Sequence, residues 1–258
     1  MKWIKRFFYF LGFLYFFICI AGFFMQEKLI FHPTELPANF QFWVGEEVYI
    51  PIDDGLKMHA MWLRHPNSKG VILYWHGNMG SNRRCLRQAE HIFSGGYDVF
   101  MPDYRGYGKT EGRVASEKQI MADAQRAYDY LREHYDEKKL SICGYSLGTG
   151  IATRLAVHNN PRQLLLMAPY KSLVAMKNKI APFLPSFLMK YKFRTDENIV
   201  KVNCPVTLFH GINDELIPYD HSVYLQNLAP DNIQLISLNG TGHRGVIFSN
   251  TIPYILRK

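Results

Sequence analysis

Cysteine is scarce in this chain of 258 residues, and none of it is grouped. Cys19, Cys85, Cys143 and Cys204 stand far apart, and no pair has the spacing of metal ligands. That argues against a zinc site, and an even count in a chain this long does not make a disulfide framework. Internal repeats are also missing, which excludes a solenoid or a propeller. Charged residues make up 20% and apolar residues 48%, a balance that excludes disorder and low-complexity architecture. The net charge is +8, yet there is no continuous basic stripe of the kind that nucleic acid requires. The densest basic stretch (Lys171, Lys177, Lys179, Lys190, Lys192, Arg194) is interleaved with apolar residues, a mixture better suited to anionic lipid headgroups. The expected partners therefore include membrane lipid and exclude nucleic acid.

One long apolar run is present. Phe7 to Met25 holds 19 residues without a charge, eight of them Phe. At a helical rise of about 1.5 Å per residue it spans roughly 28 Å, close to the hydrocarbon thickness of a bilayer. It is too long for a signal-peptide core, and no small-residue cleavage site follows it. Ile18 before Cys19 argues against lipoprotein processing. The expectation is a single uncleaved transmembrane helix. Lys2, Lys5 and Arg6 on its short flank place the N-terminus in the cytoplasm and the body of the chain on the non-cytoplasmic side.

Residues 1–28 then read as the anchor and 29–45 as a connector, with Pro33 and Pro37 breaking regular structure. Residues 46–258 read as one domain, too short to be two. Glu47–Ile52 and Lys57–Arg64 form a hairpin around Asp53-Asp54-Gly55, and Gly70–Trp75 is a strand buried on both faces. Strand and helix alternate from there on, with strands at 97–102, 140–143, 163–167, 205–210 and 233–238. Such alternation predicts an α/β fold, a mostly parallel sheet with helices on both faces. A stretch at about 170–203, divided by Pro182 and Pro185, has no strand of its own and reads as a short lid. Its aromatic and basic residues are expected above the site and near the bilayer, the connector acting as a leash.

Gly144-Tyr145-Ser146-Leu147-Gly148 follows one strand and precedes a helix. That context suits a nucleophile elbow, whose flanking glycines permit the tight turn that exposes a Ser hydroxyl. Such a hydroxyl needs a base, and the base needs an orienting acid, in the chain order Ser, acid, His. His243, in the loop Gly240-Thr241-Gly242-His243 after the last strand, is the base; His210 reads as structural and His221 as surface. Asp214, beyond the strand ending at His210, is the acid, with Glu215 its near competitor; Asp220 reads as a helix N-cap. The oxyanion donors are assigned to the backbone amides of Leu147 and Asn78, with Met79 in reserve.

His76-Gly77-Asn78, Asp103-Tyr104-Arg105-Gly106-Tyr107-Gly108, the Ser146 motif, Gly211-Ile212-Asn213-Asp214-Glu215 and Gly242-His243 occur in that order. Together with Leu29-Ile30-Phe31-His32-Pro33 after the anchor, they resemble the α/β-hydrolase superfamily, and within it the membrane-anchored BEM46-like group. The resemblance implies an α/β-hydrolase fold and a serine hydrolase for acyl esters or thioesters, with no metal and no organic cofactor. An amide or peptide hydrolase is the alternative, and a non-catalytic hydrolase-fold binding module a more distant one.

Overall fold

The computed structural model describes residues 2–257. Helix α1 (Lys2–Phe24) is apolar and of membrane-spanning length, with a mean hydropathy of 2.2, and its residues up to Ile18 are exposed. Helix α2 (Gln26–Ile30) follows after one residue, and the short strand β1 (His32–Pro33) after that. The main sheet is built from β2 (Glu46–Pro51), β3 (Lys57–Leu63), β4 (Val71–Trp75), β6 (Asp98–Pro102), β7 (Leu140–Tyr145), β8 (Leu164–Met167), β9 (Val206–Gly211) and β10 (Ile233–Leu238). Strand β5 (Met79–Gly80) lies outside it and pairs with β1 in parallel.

The spatial order of the eight strands is β10-β9-β8-β7-β4-β6-β3-β2. The β2–β3 and β3–β6 pairings are antiparallel and the remainder parallel. Every residue of β4 and β7 is buried, as continuous apolar strands covered on both faces must be. Helices α4 (Glu117–Arg132) and α5 (Gly148–Val157) cover one face, and α3 (Asn82–Phe93) and the terminal α9 (Thr251–Arg257) the other. Each large aliphatic side chain so buried contributes about 1.5–3 kcal/mol. Ser116 starts α4: its side chain accepts from the Gln119 amide, and the Gln119 side chain accepts in return from the Ala115 amide.

The order in which strands are added to the sheet reverses at β4, whose neighbours β6 and β7 lie on opposite sides of it. In sheets of this kind the crevice beyond the strand ends at such a point receives the ligand. The loops after β4 and β7 are adjacent there because Trp75 pairs with Gly144. Between β8 and β9 the chain makes an excursion carrying α6 (Leu173–Ile180), a 3-10 turn at Ser186–Leu188 and α7 (Thr195–Ile199). Helix α8 (Asp220–Leu228) connects β9 to β10.

Two expectations change. The connector is no free leash: His32 pairs with Met79, and the amides of Thr34 and Leu36 donate to Gly80 and Gly108. Asp220 is not the cap of α8, because Tyr219 occupies that position and Asp220 is the first helical residue.

Candidate active site

The turn between β7 and α5 is sterically demanding. Ser146 has φ +51°, a left-handed conformation that costs a non-glycine residue of order 1–3 kcal/mol and clusters at functional sites. The residues two positions to either side of it must be glycine. A Cβ on Gly144 would lie 2.5 Å from the Gly148 carbonyl oxygen, and one on Gly148 would lie 2.1 Å from that of Trp75. Because the two strands and the helix approach this closely, the Ser146 hydroxyl stands at the N-terminus of α5.

His243 Nε2 lies 3.1 Å from Ser146 Oγ, and His243 Nδ1 donates to Asp214 Oδ2 at 2.7 Å. The 3-10 turn His243–Phe248 carries the imidazole, whose ring stacks on Tyr145 at a centroid distance of 5.4 Å. The Tyr145 hydroxyl donates to the His243 carbonyl. Gly211 permits the loop to close: a Cβ there would lie 2.1 Å from the Thr241 carbonyl oxygen, which accepts from the Asn213 amide. The turn bearing the acid is thus pinned to the turn bearing the base.

Asp214 is buried, and donors meet both of its oxygens. Oδ1 accepts from the Leu216 and Ile217 amides at 2.9 and 2.8 Å, and Oδ2 faces His243 and, at 3.3 Å, His210 Nε2. Burial alone pushes the Asp214 pKa up. The hydrogen bonds from His210, His243 and the Ile217 amide outweigh it and hold the carboxyl well below the usual carboxylate range. Glu215 is exposed and makes none of these contacts. His210 is structural: Nδ1 meets Ser222 Oγ at 2.6 Å and Nε2 donates to the Ile217 carbonyl. His221, expected at the surface, is buried and accepts from the Lys171 amide through Nδ1. Its burial pushes its pKa down.

The amides of Leu147 and Asn78 border the same cavity as Ser146, and among the described residues neither has an acceptor in the chain. The loop carrying Asn78 is held from several sides. The Asn78 carbonyl accepts from Tyr107 Oη and the His32 amide, and Asn78 Nδ2 donates to the Ile30 carbonyl. Tyr104 Oη donates to the His76 carbonyl at 2.6 Å, while His76 Nε2 lies 3.2 Å from the buried Asp103. Asp103 also accepts from the Asn82 amide and sits under Gly108, where a Cβ would fall 2.1 Å from Oδ2. The 103–108 motif therefore shapes the loop and does not face the reacting atoms.

The cavity over Ser146 measures about 490 Å³, within the range of ligand sites. Its walls come from the excursion (Leu173, Met176, Leu184, Leu188) and, unexpectedly, from Cys19, Gly22 and Phe23 of α1. Among the described residues that line it, none is acidic. Of the lysines expected to face lipid, Lys177 and Lys179 donate to the Leu184 and Leu216 carbonyls and Lys190 pairs with Glu27.

Residues 66–195 match the family described as serine aminopeptidase, S33. The chain belongs to this family. A Mycobacterium tuberculosis protein described as uncharacterized is 30% identical over 226 residues, 84% of this chain and 80% of that protein. The lysophosphatidylserine lipase ABHD12 of Danio rerio is 33% identical over 210 residues, covering 73% of this chain but only 54% of its own length. Among solved structures, an esterase of Pyrococcus furiosus superposes with a TM-score of 0.64 at 19% identity, over 88% of this chain and 94% of that one. Est1E of Butyrivibrio proteoclasticus, solved with ferulic acid, gives 0.63 at 20% identity, over 81% and 96%. At such identities the likeness speaks for the fold alone, and the fold is that of the α/β hydrolases. The chain is an α/β hydrolase of the serine-hydrolase type.

Proposed function

We propose that the protein cleaves carboxylic esters or thioesters through a Ser146–His243–Asp214 triad and an acyl-enzyme. His243 Nε2 takes the Ser146 proton as Oγ attacks the acyl carbon, and the amides of Leu147 and Asn78 hold the oxyanion. Collapse expels the alcohol or thiol, to which His243 returns the proton. Water, deprotonated by the same imidazole, then releases the acid. The observation that carries this reading is the unbroken hydrogen-bonded line from Ser146 Oγ to Asp214. The apolar cavity suits an acyl group, and the described residues of its lining include no carboxylate to pair with a peptide α-ammonium, which sets the peptidase alternative second. The named lipase among the relatives points the same way.

We also place the protein in the membrane-anchored BEM46-like group, with residues 1–28 as a single-pass anchor, 29–45 as connector and 46–258 as the catalytic domain. Residues 170–203 are its lid. The N-terminus is cytoplasmic and the domain lies on the opposite side, which protease protection in sealed vesicles tests.

The primary experiment is fluorophosphonate labelling, followed by a panel of acyl esters, thioesters and amides. Ser146→Ala is expected to abolish labelling and turnover, since loss of such a nucleophile costs around 10⁶ in kcat. Retention of more than about a thousandth of wild-type turnover by this variant rejects the assignment.

A further inference from the structure

We propose that α1 is more than an anchor: its inner face forms one wall of the acyl site, and the acyl chain of a bilayer lipid ester enters between α1 and the lid. The proposal rests on the ester and thioester reading above. Cys19, Gly22, Phe23 and Gln26 recur at helical spacing and are the more enclosed residues of α1 and its continuation, while the rest of α1 is exposed. Cys19, Gly22 and Phe23 line the cavity that ends at Ser146. Gly22 faces the lid directly, for a Cβ there would lie in van der Waals contact with Leu184 Cδ1, at 3.4 Å.

The contact is built and clamped. Gln26, buried at the end of the apolar run, donates through Nε2 to the Leu188 carbonyl at 2.9 Å and accepts through Oε1 from the Lys190 amide at 2.8 Å. Glu27 binds Lys190 Nζ at 3.1 Å and Tyr191 Oη at 3.1 Å, and the same ammonium lies 4.5 Å over the Phe23 ring. Higher up, Tyr15 Oη donates to the Phe183 carbonyl at 2.8 Å.

That last bond fixes depth. Tyr15 precedes Phe24 by nine residues, about 14 Å along the helix and roughly half the hydrocarbon thickness. If α1 spans the bilayer, the lid tip reaches its middle. The tip is dressed for it: Ile180, Phe183 and Phe187 are 76%, 59% and 79% exposed. In water such residues would be a liability; in hydrocarbon they are at home. An apolar cavity continuous with the reactive serine, walled by a membrane helix and opening beside an immersed lid, takes an acyl chain straight from the leaflet.

The test uses the full chain in phosphatidylcholine nanodiscs. Gly22→Trp fills the cavity from the α1 side, and Cys19→Trp does so one turn away should the first variant fold poorly. Ala21→Trp places the same ring on the lipid-facing side of α1, outside the cavity lining. Labelling rates with hexadecyl and ethyl fluorophosphonates are compared, together with hydrolysis of palmitate and butyrate esters. Each lost methylene contact is substantial, so the long-to-short ratio should fall about tenfold or more in Gly22→Trp or Cys19→Trp. Ala21→Trp should keep the wild-type ratio. An unchanged ratio in both cavity variants, with melting temperatures near wild type, overturns the wall while leaving the hydrolase reading intact. A wild-type chain that neither labels nor turns over any ester removes the hydrolase reading, and this inference with it.

Discussion

Replacing Asp214 by Asn preserves the shape of the acid and reverses its hydrogen-bonding sense at one atom. Four donors converge on the carboxylate: the Leu216 and Ile217 amides on Oδ1, and His243 and His210 on Oδ2. The two backbone amides cannot turn away, so the asparagine oxygen must take the Oδ1 position. Its NH₂ then points at His243 Nδ1, which can accept only by giving up its hydrogen. The proton moves to Nε2 and faces Ser146 Oγ, where an acceptor is needed. An imidazole locked in this tautomer cannot act as base, and the corresponding change in a serine protease costs about 10⁴ in kcat. That is about 5.4 kcal/mol of transition-state stabilisation. We expect a loss of this order in kcat for a short-chain ester, with KM nearly unchanged, while exposed Glu215→Gln stays within about twofold. Stopped or initial-rate assays on both variants decide the matter. If Asp214→Asn keeps a tenth or more of wild-type kcat, or if Glu215→Gln suffers the larger loss, the acid has been misassigned.

Three further expectations follow from the same geometry. Gly148→Ala drives a Cβ to within 2.1 Å of the Trp75 carbonyl oxygen, and should cost about 1–3 kcal/mol or more and lower the thermal midpoint by about 5 °C; a midpoint within about 2 °C of wild type rejects the packing argument. Tyr107→Phe deletes the hydroxyl that donates to the Asn78 carbonyl and accepts from the His32 amide; kcat should drop about tenfold with KM little changed, and an effect on KM alone would contradict a loop-positioning role. Activity should rise with pH to a plateau, because the base must be unprotonated to accept the Ser146 proton. Asp214 adds no second step between about pH 5 and 8: its folded carboxyl is held below the unfolded value of about 3.9, so the stability it confers is present above that value and is lost only as pH falls through the lower folded one. A two-proton acid limb in log kcat/KM would show that another group must also titrate.

Much of the fold could be read along the chain because local signals agree with it. Continuous apolar runs gave β4 and the other central strands. Ser146, Asp214 and His243 were legible because each sits just past a strand end, where the sheet gathers loops at one edge. What stayed hidden depends on contacts that leave no periodic trace. His221 looked like a surface residue at a helix start, and nothing nearby in the chain announces that Lys171, 50 positions away, donates to it. Gln26 reads as the polar boundary of an apolar run; its partners Leu188 and Lys190 are 162 and 164 residues distant. The lysines of the excursion looked like a solvated or lipid-facing set, because sequence shows their charge but not the carbonyls at Leu184 and Leu216 that engage them.

The connector carries the largest consequence of this kind. Residues 30–36 looked like a spacer whose length sets only how far the body stands from the membrane. In the folded chain they lie against the loop that presents Asn78: the Ile30 carbonyl accepts from the Asn78 side chain, and the His32 amide donates to the Asn78 carbonyl. Only Met25 separates the end of α1 from Ile30's helix, and Gln26 and Glu27 fasten that junction to residues 188–191 of the excursion. A single short helix, α2, thus ties three parts together: the apolar helix, the cavity wall opposite it, and the proposed oxyanion donor. An oxyanion donor acts through its fixed position, and a misplacement of about 1 Å can cost a hundredfold. A segment that fixes Asn78 is therefore part of the machinery in an energetic sense, although no atom of it touches the reacting bond. The same ties mean that deleting the apolar helix along with α2 removes a support of the loop that presents Asn78 as well as the proposed membrane attachment. Loss of activity in so truncated a chain has a third cause, the missing wall that Cys19, Gly22 and Phe23 give the cavity, and a cut placed between Phe24 and Gln26 spares only the support of the Asn78 loop.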